Sequence, residues 1–150
     1  MAAALGLRLT GGATNTLPGL SLGGVRSAFA PAGDLFDEVS ADECRVGDVE
    51  HRALDLVNSG NQTARQLVVW AEGPQPPTLG LGLVEDRARE LRHEGAVPER
   101  VTFGAWSQAD PLPVPDLPPG KGRRVWLRRT VAPGSPRVAT AAAVLRWRYV

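Results

Sequence analysis

Apolar and polar residues alternate in short runs along this chain, and clusters of Gly, Pro, Asn and Ser separate the runs. LGLRL at residues 5–9 predicts a short strand with Leu5, Leu7 and Leu9 on one face. HRALDLVN (51–58) predicts a strand that ends at the NSGN turn of residues 58–61. RQLVVWA (65–71) combines β-branched and aromatic residues and stops at the EGPQPP breaker of 72–77. TLGLGLV (78–84) alternates again, and VTFGAW (101–106) predicts a further short strand. In RRVWLRRTV (123–131), Val125, Leu127 and Val131 share one face, and Arg124, Trp126, Arg128 and Thr130 share the other. Arg129 falls in phase with the apolar set. Either a bulge resets the register there, or the guanidinium reaches an edge where it meets solvent or an acid. AVLRWRYV (143–150) closes the chain with Leu145, Trp147 and Tyr149 opposite Val144, Arg146 and Arg148.

Helical periodicity is scarce. EDRARELRHEG (85–95), with opposite charges at helical spacing and a terminal Gly, predicts one short surface helix. Residues 34–50 carry seven acids and one Arg and read as a solvated loop, from which Leu35, Phe36 and Val39 can dock a turn onto the core. DPLPVPDLPPGKG (110–122) is an extended, proline-rich connection. Residues 1–33 read as an extended N-terminal arm, because Leu17, Leu20, Leu22 and Val25 are spaced among Gly and Pro without either regular period. Seven or eight short strands with turn signals between them predict an all-β fold, an antiparallel β-sandwich of Ig-like or jelly-roll-like kind over residues 34–150.

Composition supports this and removes several function classes. Of 150 residues, 17 are Gly and 13 are Pro, more than a helical bundle tolerates. A net charge of +1 gives no bulk attraction to nucleic acid or anionic lipid. No apolar run approaches the roughly 20 residues that cross a bilayer, and the opening MAAALGLRLTGG lacks the pattern of a signal peptide. One cysteine, Cys44, excludes an intrachain disulfide and every CxxC motif, which fits folding in a reducing compartment. The TGGAT and SLGGVRS segments lack the GK[ST] ending of a phosphate loop. His51 and His93 read as ordinary surface histidines, and the acids Asp34, Asp37, Glu38, Asp42 and Glu43 lack the alternating oxygens and central Gly of a calcium loop. No serine sits in a nucleophile elbow, and Cys44 has no positioned His. Catalytic residues, cofactors and metal ligands are therefore not expected. Charge is uneven, with four Arg and eight acids in residues 1–60 against 13 basic and eight acidic residues in 61–150, so the halves can attract each other or neighbouring copies.

Several segments together resemble a known family. TGGATNTLPGLSLGGVRS (10–27), LFDEVSADECRVGDVEHRAL (35–54), VNSGNQTARQLVVWAEG (57–73), PERVTFGAW (98–106) and LPPGKGRRVWLRRTVAPGS (117–135) are similar, in order and spacing, to small virion structural proteins of tailed bacteriophages. The residues that carry the resemblance are Gly47, Asp48, Glu50, Arg52 and Asn58, then Pro119, Gly120, Trp126, Arg128, Arg129, Thr130 and Val131. His51, where an aromatic such as Tyr is expected, and the charged segment 85–95 depart from the pattern. The resemblance implies a non-catalytic particle component, repeated many times on a capsid or tail.

The expected role is that of a capsid decoration or cement protein on the outside of the shell, with the major capsid protein and copies of itself, as a trimer or dimer, as partners. Nucleic acid and membrane are not expected partners. Arg8, Leu17, Leu20, Leu22 and Val25 are the expected arm contacts, and Trp126, Arg128 and Arg129 a second interface, since Trp and Arg are enriched where proteins meet. The alternative is a carbohydrate- or receptor-binding module of a tail fibre or baseplate, stacking sugars on Trp70, Trp106, Trp126 or Trp147.

Overall fold

A computed structural model describes residues 2–73, 78–84, 90–136 and 144–150, and the account that follows is of these. Seven strands form two antiparallel sheets: β1 (Leu5–Leu9), β2 (Asp48–Asn58), β3 (Val68–Glu72), β4 (Thr78–Val84), β5 (Leu112–Pro113), β6 (Gly122–Val131) and β7 (Val144–Arg148). The four-stranded sheet runs β1-β2-β6-β4, and the three-stranded sheet runs β5-β3-β7. The fold is all-β, as the alternation predicts.

One α-helix is present among the described residues, and it is not where charge spacing puts it. α1 (Ala41–Val46) lies in the acidic segment expected to be loop. Ser40 caps it: its hydroxyl accepts from the Glu43 N–H at 3.1 Å, and Glu43 Oε1 accepts from the Ser40 N–H at 3.0 Å. Gly47, at φ +84°, ends it in a conformation that side chains avoid. Of the helix expected over 85–95, residues 90–95 are loop and turn, and 85–89 lie outside the described residues. The i,i+4 charge pairs there contribute only tenths of a kcal/mol each, about 0.2–0.5, whereas residues 91 and 94 are tied to other parts of the chain. VTFGAW forms no strand and contributes only a bridge between Gly104 and Leu81.

Strand phase sets the core. Leu9, Leu54, Leu56, Val125 and Leu127 of the larger sheet meet Val69 and Leu145 of the smaller one in a shared apolar cluster, which Leu35 and Phe36 extend. The opposite face of the larger sheet is covered too. There Ala53, Val84 and Trp126 pack beneath Leu91, Val101 and Phe103. The glycines of TLGLGLV allow this: a Cβ on Gly82 would come within 2.4 Å of Val101 Cγ1 and 2.7 Å of Thr102 O. The outer side of the smaller sheet keeps the chemistry read from the sequence, with Val144, Arg146 and Arg148 exposed opposite buried Leu145.

Register through β6 is continuous, from Asp48↔Val131 to Val57↔Gly122. No bulge accommodates Arg129; the acid does. Arg129 Nη2 lies 2.6 Å from Glu50 Oε2.

The boundary expected at residue 33 does not separate the arm from the sheet. Leu5–Leu9 is the edge strand on β2, and the chain beyond it returns to the same edge. The Ser27 N–H donates to Leu9 O at 2.8 Å, and the Leu9 N–H to Phe29 O at 2.9 Å. β2 is longer than β1, and the rest of its edge is taken by Ser21, whose carbonyl accepts from the Ala53 N–H, and by Glu94, whose carbonyl accepts from the His51 N–H.

Candidate interaction surface

The loop of residues 10–29 is polar inside and apolar outside. Its interior is made by Thr10, Ser21 and Ser27, all buried. Ser21 Oγ accepts from the Thr10 N–H at 2.9 Å and donates to Ala53 O at 2.5 Å, while Thr10 Oγ1 accepts from the Gly23 N–H at 2.9 Å. Asn15 Nδ2 donates to Thr10 O and Leu17 O, and Ser27 Oγ donates to Asn15 O. These bonds satisfy a backbone that, apart from one 3-10 turn at Pro18–Leu20, forms neither helix nor ladder. The apolar side chains are left outside: Leu17, Leu20 and Val25 are 53–58% exposed and Phe29 is 47% exposed. Single exposed apolar residues are ordinary, whereas here four large ones fall on one internally hydrogen-bonded loop.

The remaining expected contacts separate into accessible and inaccessible ones. Leu22 is buried in its own chain. Arg8 is half-buried, and its guanidinium donates to Leu7 O. Trp126, with no exposed surface, and Arg129, 1% exposed, are interior, so the expected second interface is not a surface. Arg128 is half-buried with its guanidinium 4.3 Å from the Phe103 centroid. The accessible members of the expected set are Leu17, Leu20 and Val25, and Phe29 joins them.

No family model, curated protein or solved structure matches this chain. Its chemistry is read from its own residues.

Two buried charge networks, missed by the sequence reading, anchor the loops to the sheet. In the first, Asp55 receives Arg124 Nε at 2.8 Å and Nη2 at 3.0 Å, and Arg26 Nε at 2.8 Å. Arg26 belongs to the arm loop, so this carboxylate pins the loop to β2 and β6. The second lies at the far end of β2. Arg129 donates to the Asp37 backbone and side chain and to Glu50, Arg52 Nη1 meets Glu94 Oε2 at 2.8 Å, and both guanidiniums lie about 5 Å from the buried Phe36 ring. The signal was the phase of Glu50 and Arg52, which coincides with that of Leu54 and Leu56.

Carboxyl oxygens of Glu43, Asp48 and Glu50 lie within 4.8 Å of one another, as do those of Asp37, Glu50 and Glu94. Such groups can hold a hard cation, but here Arg129 and Arg52 already supply positive charge. Burial and the neighbouring Asp48 carboxyl push Glu50 up to about 9, against the attraction of Arg129. Burial also raises Asp48, with Glu43 adding to it. For Glu43, burial is outweighed by hydrogen bonds from Asp48 and Ser40, which bring it down to about 2. Protons are thus shared down the series from Glu50 through Asp48 to Glu43.

All four tryptophans are described. Trp70 and Trp126 are buried, Trp106 and Trp147 are half-buried, and none stands exposed as a platform for a sugar ring. No described helix is long and apolar enough to cross a membrane.

Proposed function

We propose that this chain is a structural component of a tailed-phage virion: a β-sandwich, Ig-like or jelly-roll-like, that decorates the outside of the capsid and reinforces it through contacts with the major capsid protein and with copies of itself. The family resemblance of the segments quoted above supports this role, and the inverted loop carries the physical case. A loop whose hydrogen bonds are satisfied internally, while Leu17, Leu20, Val25 and Phe29 face outward, is preorganised to bind without further ordering cost. Covering the exposed halves of these four side chains yields roughly 3–6 kcal/mol per copy. That is weak for a single contact and durable when a trimer or dimer engages several at once. The role requires no catalysis, cofactor or metal. Sugar stacking by tryptophan has less support, because two of the four rings are buried and the other two half-buried.

The test uses the full chain. Removing residues 1–25 would also remove β1 and the Ser21 bonds, so loss of attachment would report misfolding. The triple variant Leu17→Ser, Leu20→Ser, Val25→Ser changes only exposed side chains and should leave the unfolding free energy in urea within about 0.5 kcal/mol per substitution of wild type. Sedimentation with purified shells that lack the protein should then separate the two: wild type bound, the variant free. A variant that co-sediments as wild type does would refute the proposal.

A further inference from the structure

His51 is fully buried on β2, opposite Arg128 in the register of β6. Its N–H donates to Glu94 O at 2.8 Å, and its Nδ1 lies 3.1 Å from the same carbonyl. A carbonyl can only accept, so Nδ1 carries the proton and Nε2 carries the lone pair. Nε2 is buried without a hydrogen-bond partner. The ring packs on Phe103, with centroids 5.5 Å apart. His51 therefore grips the segment 90–104 at two points, Glu94 and Phe103. This segment covers Trp126 with Leu91, Val101 and Phe103, and is held elsewhere by the Leu91 N–H to Leu22 O and by the bridge from Gly104 to Leu81.

We propose that His51 is an acid-sensitive pin, and that protonation of its Nε2 releases residues 90–104 from the Trp126 face of the larger sheet. The charged groups around the ring disfavour a second proton. Arg128 faces it from β6, Arg52 adjoins it on β2, and Glu94, the acid whose own carbonyl the ring touches, has its carboxylate engaged by Arg52 at 2.8 Å. Glu50, the other neighbour on β2, projects to the opposite face with Arg129. The Glu94 and Ala96 carbonyls favour the charged ring, but burial first, then Arg128 and Arg52, outweigh them and hold His51 below its ordinary 6.5. An imidazolium in this buried site would face the Arg128 guanidinium, with Arg52 adding repulsion from the other face of β2, and opening the segment returns it to water. The closed form binds fewer protons than the open one between 6.5 and the lowered value. Closure is thus fully favoured above 6.5 and weakens as pH falls below it.

Hydrogen exchange of the full chain, read by NMR from pH 8 to pH 5 and corrected for intrinsic rates, tests this. Protection of the His51, Leu91 and Gly104 amides is expected to fall by up to about tenfold per pH unit below 6.5. The Val114 amide, bonded to Leu67 O beside the smaller sheet, should not follow. His51→Gln keeps a donor for the Glu94 carbonyl but cannot be charged, and should abolish the fall. His93→Gln, at an exposed residue of the same segment, should retain it. A wild type with no selective fall, or a fall that persists in H51Q, overturns the proposal. Should H51Q not fold, the titration of the His51 ring in wild type decides: a midpoint below 6.5 that tracks the Leu91 and Gly104 amides supports the pin, and a midpoint at or above 6.5 overturns it.

Discussion

Replacing Glu50 by Gln should convert a stability that declines above neutrality into a flat one. Glu50 is 3% exposed, and its carboxyl is pushed up to about 9. Its Oε2 accepts from Arg129 Nη2 at 2.6 Å, a contact that a neutral acid can also make while its own proton is directed at Asp48. The folded chain therefore retains a proton that the unfolded chain, with an ordinary value of 4.5, has released. Between these values the native state binds more protons, so its stability falls as pH rises, by about 1.4 kcal/mol per unit for one proton. Glu43 acts in the opposite sense: its contribution is complete above 4.5 and is lost only as pH falls toward 2. His51, held below 6.5, is neutral in both states above pH 7. The range from pH 7 to pH 9 thus isolates the Glu50 set, and across it the wild type should lose on the order of 2–3 kcal/mol. Glu50→Gln keeps the neutral acid's shape and should lose none. Urea unfolding followed by tryptophan fluorescence at pH 7, 8 and 9 measures this, provided the denaturant slope is common to both proteins. Equal wild-type midpoints at pH 7 and 9, or the same decline in E50Q, would refute the reasoning.

Three further substitutions, with a fourth as control, probe how the loops are fastened. Asp55→Asn leaves Arg124 and Arg26 without their shared carboxylate in a site 2% exposed, and should cost about 3–5 kcal/mol in urea unfolding. Ser21→Ala removes the hydroxyl that joins the Thr10 N–H to Ala53 O, and should cost about 1–3 kcal/mol and speed exchange of the Thr10 amide. Gly82→Ala forces a methyl group against Val101 and Thr102 O, and should cost about 1–3 kcal/mol, with protection lost first at Gly104; Gly19→Ala, which meets nothing within 4 Å, should be neutral by the same measurement.

The ladder of strands was legible because alternation is a local property. β1 and β4 match the predicted runs residue for residue, and β2, β3, β6 and β7 differ only at their ends. α1 was legible in principle, since Ser40 and Glu43 have the S-x-x-E spacing of a capping box. It was hidden by acids that also suit a solvated loop. Its rival at 85–95 rested on charge spacing, which is too weak to hold residues 90–95 against their bonds to β2 and Leu22. Leu17, Leu20 and Val25 were singled out as contacts and are exposed, whereas Trp126 and Arg129 were singled out and are interior.

What the sequence by itself determined was the β class, the positions of six of the seven strands and the two faces of each, because a period of two follows from backbone geometry alone; β5 lies in the stretch read as a connection, and VTFGAW forms no strand. It did not determine what lies over each face. Trp126 is buried because residues 90–104 cross the second face of the sheet. Glu50 and Arg129 are tolerated inside because chain segments 79 residues apart bring the Arg129 guanidinium to 2.6 Å from the Glu50 carboxyl oxygen, which accepts its hydrogen bond. The polar side chains of the arm loop face inward because the edge of β2 beyond β1 requires backbone partners, which Ser21 supplies. Burial of this kind depends on groups remote in sequence, and only their meeting in the folded chain makes a charge or an indole stable there.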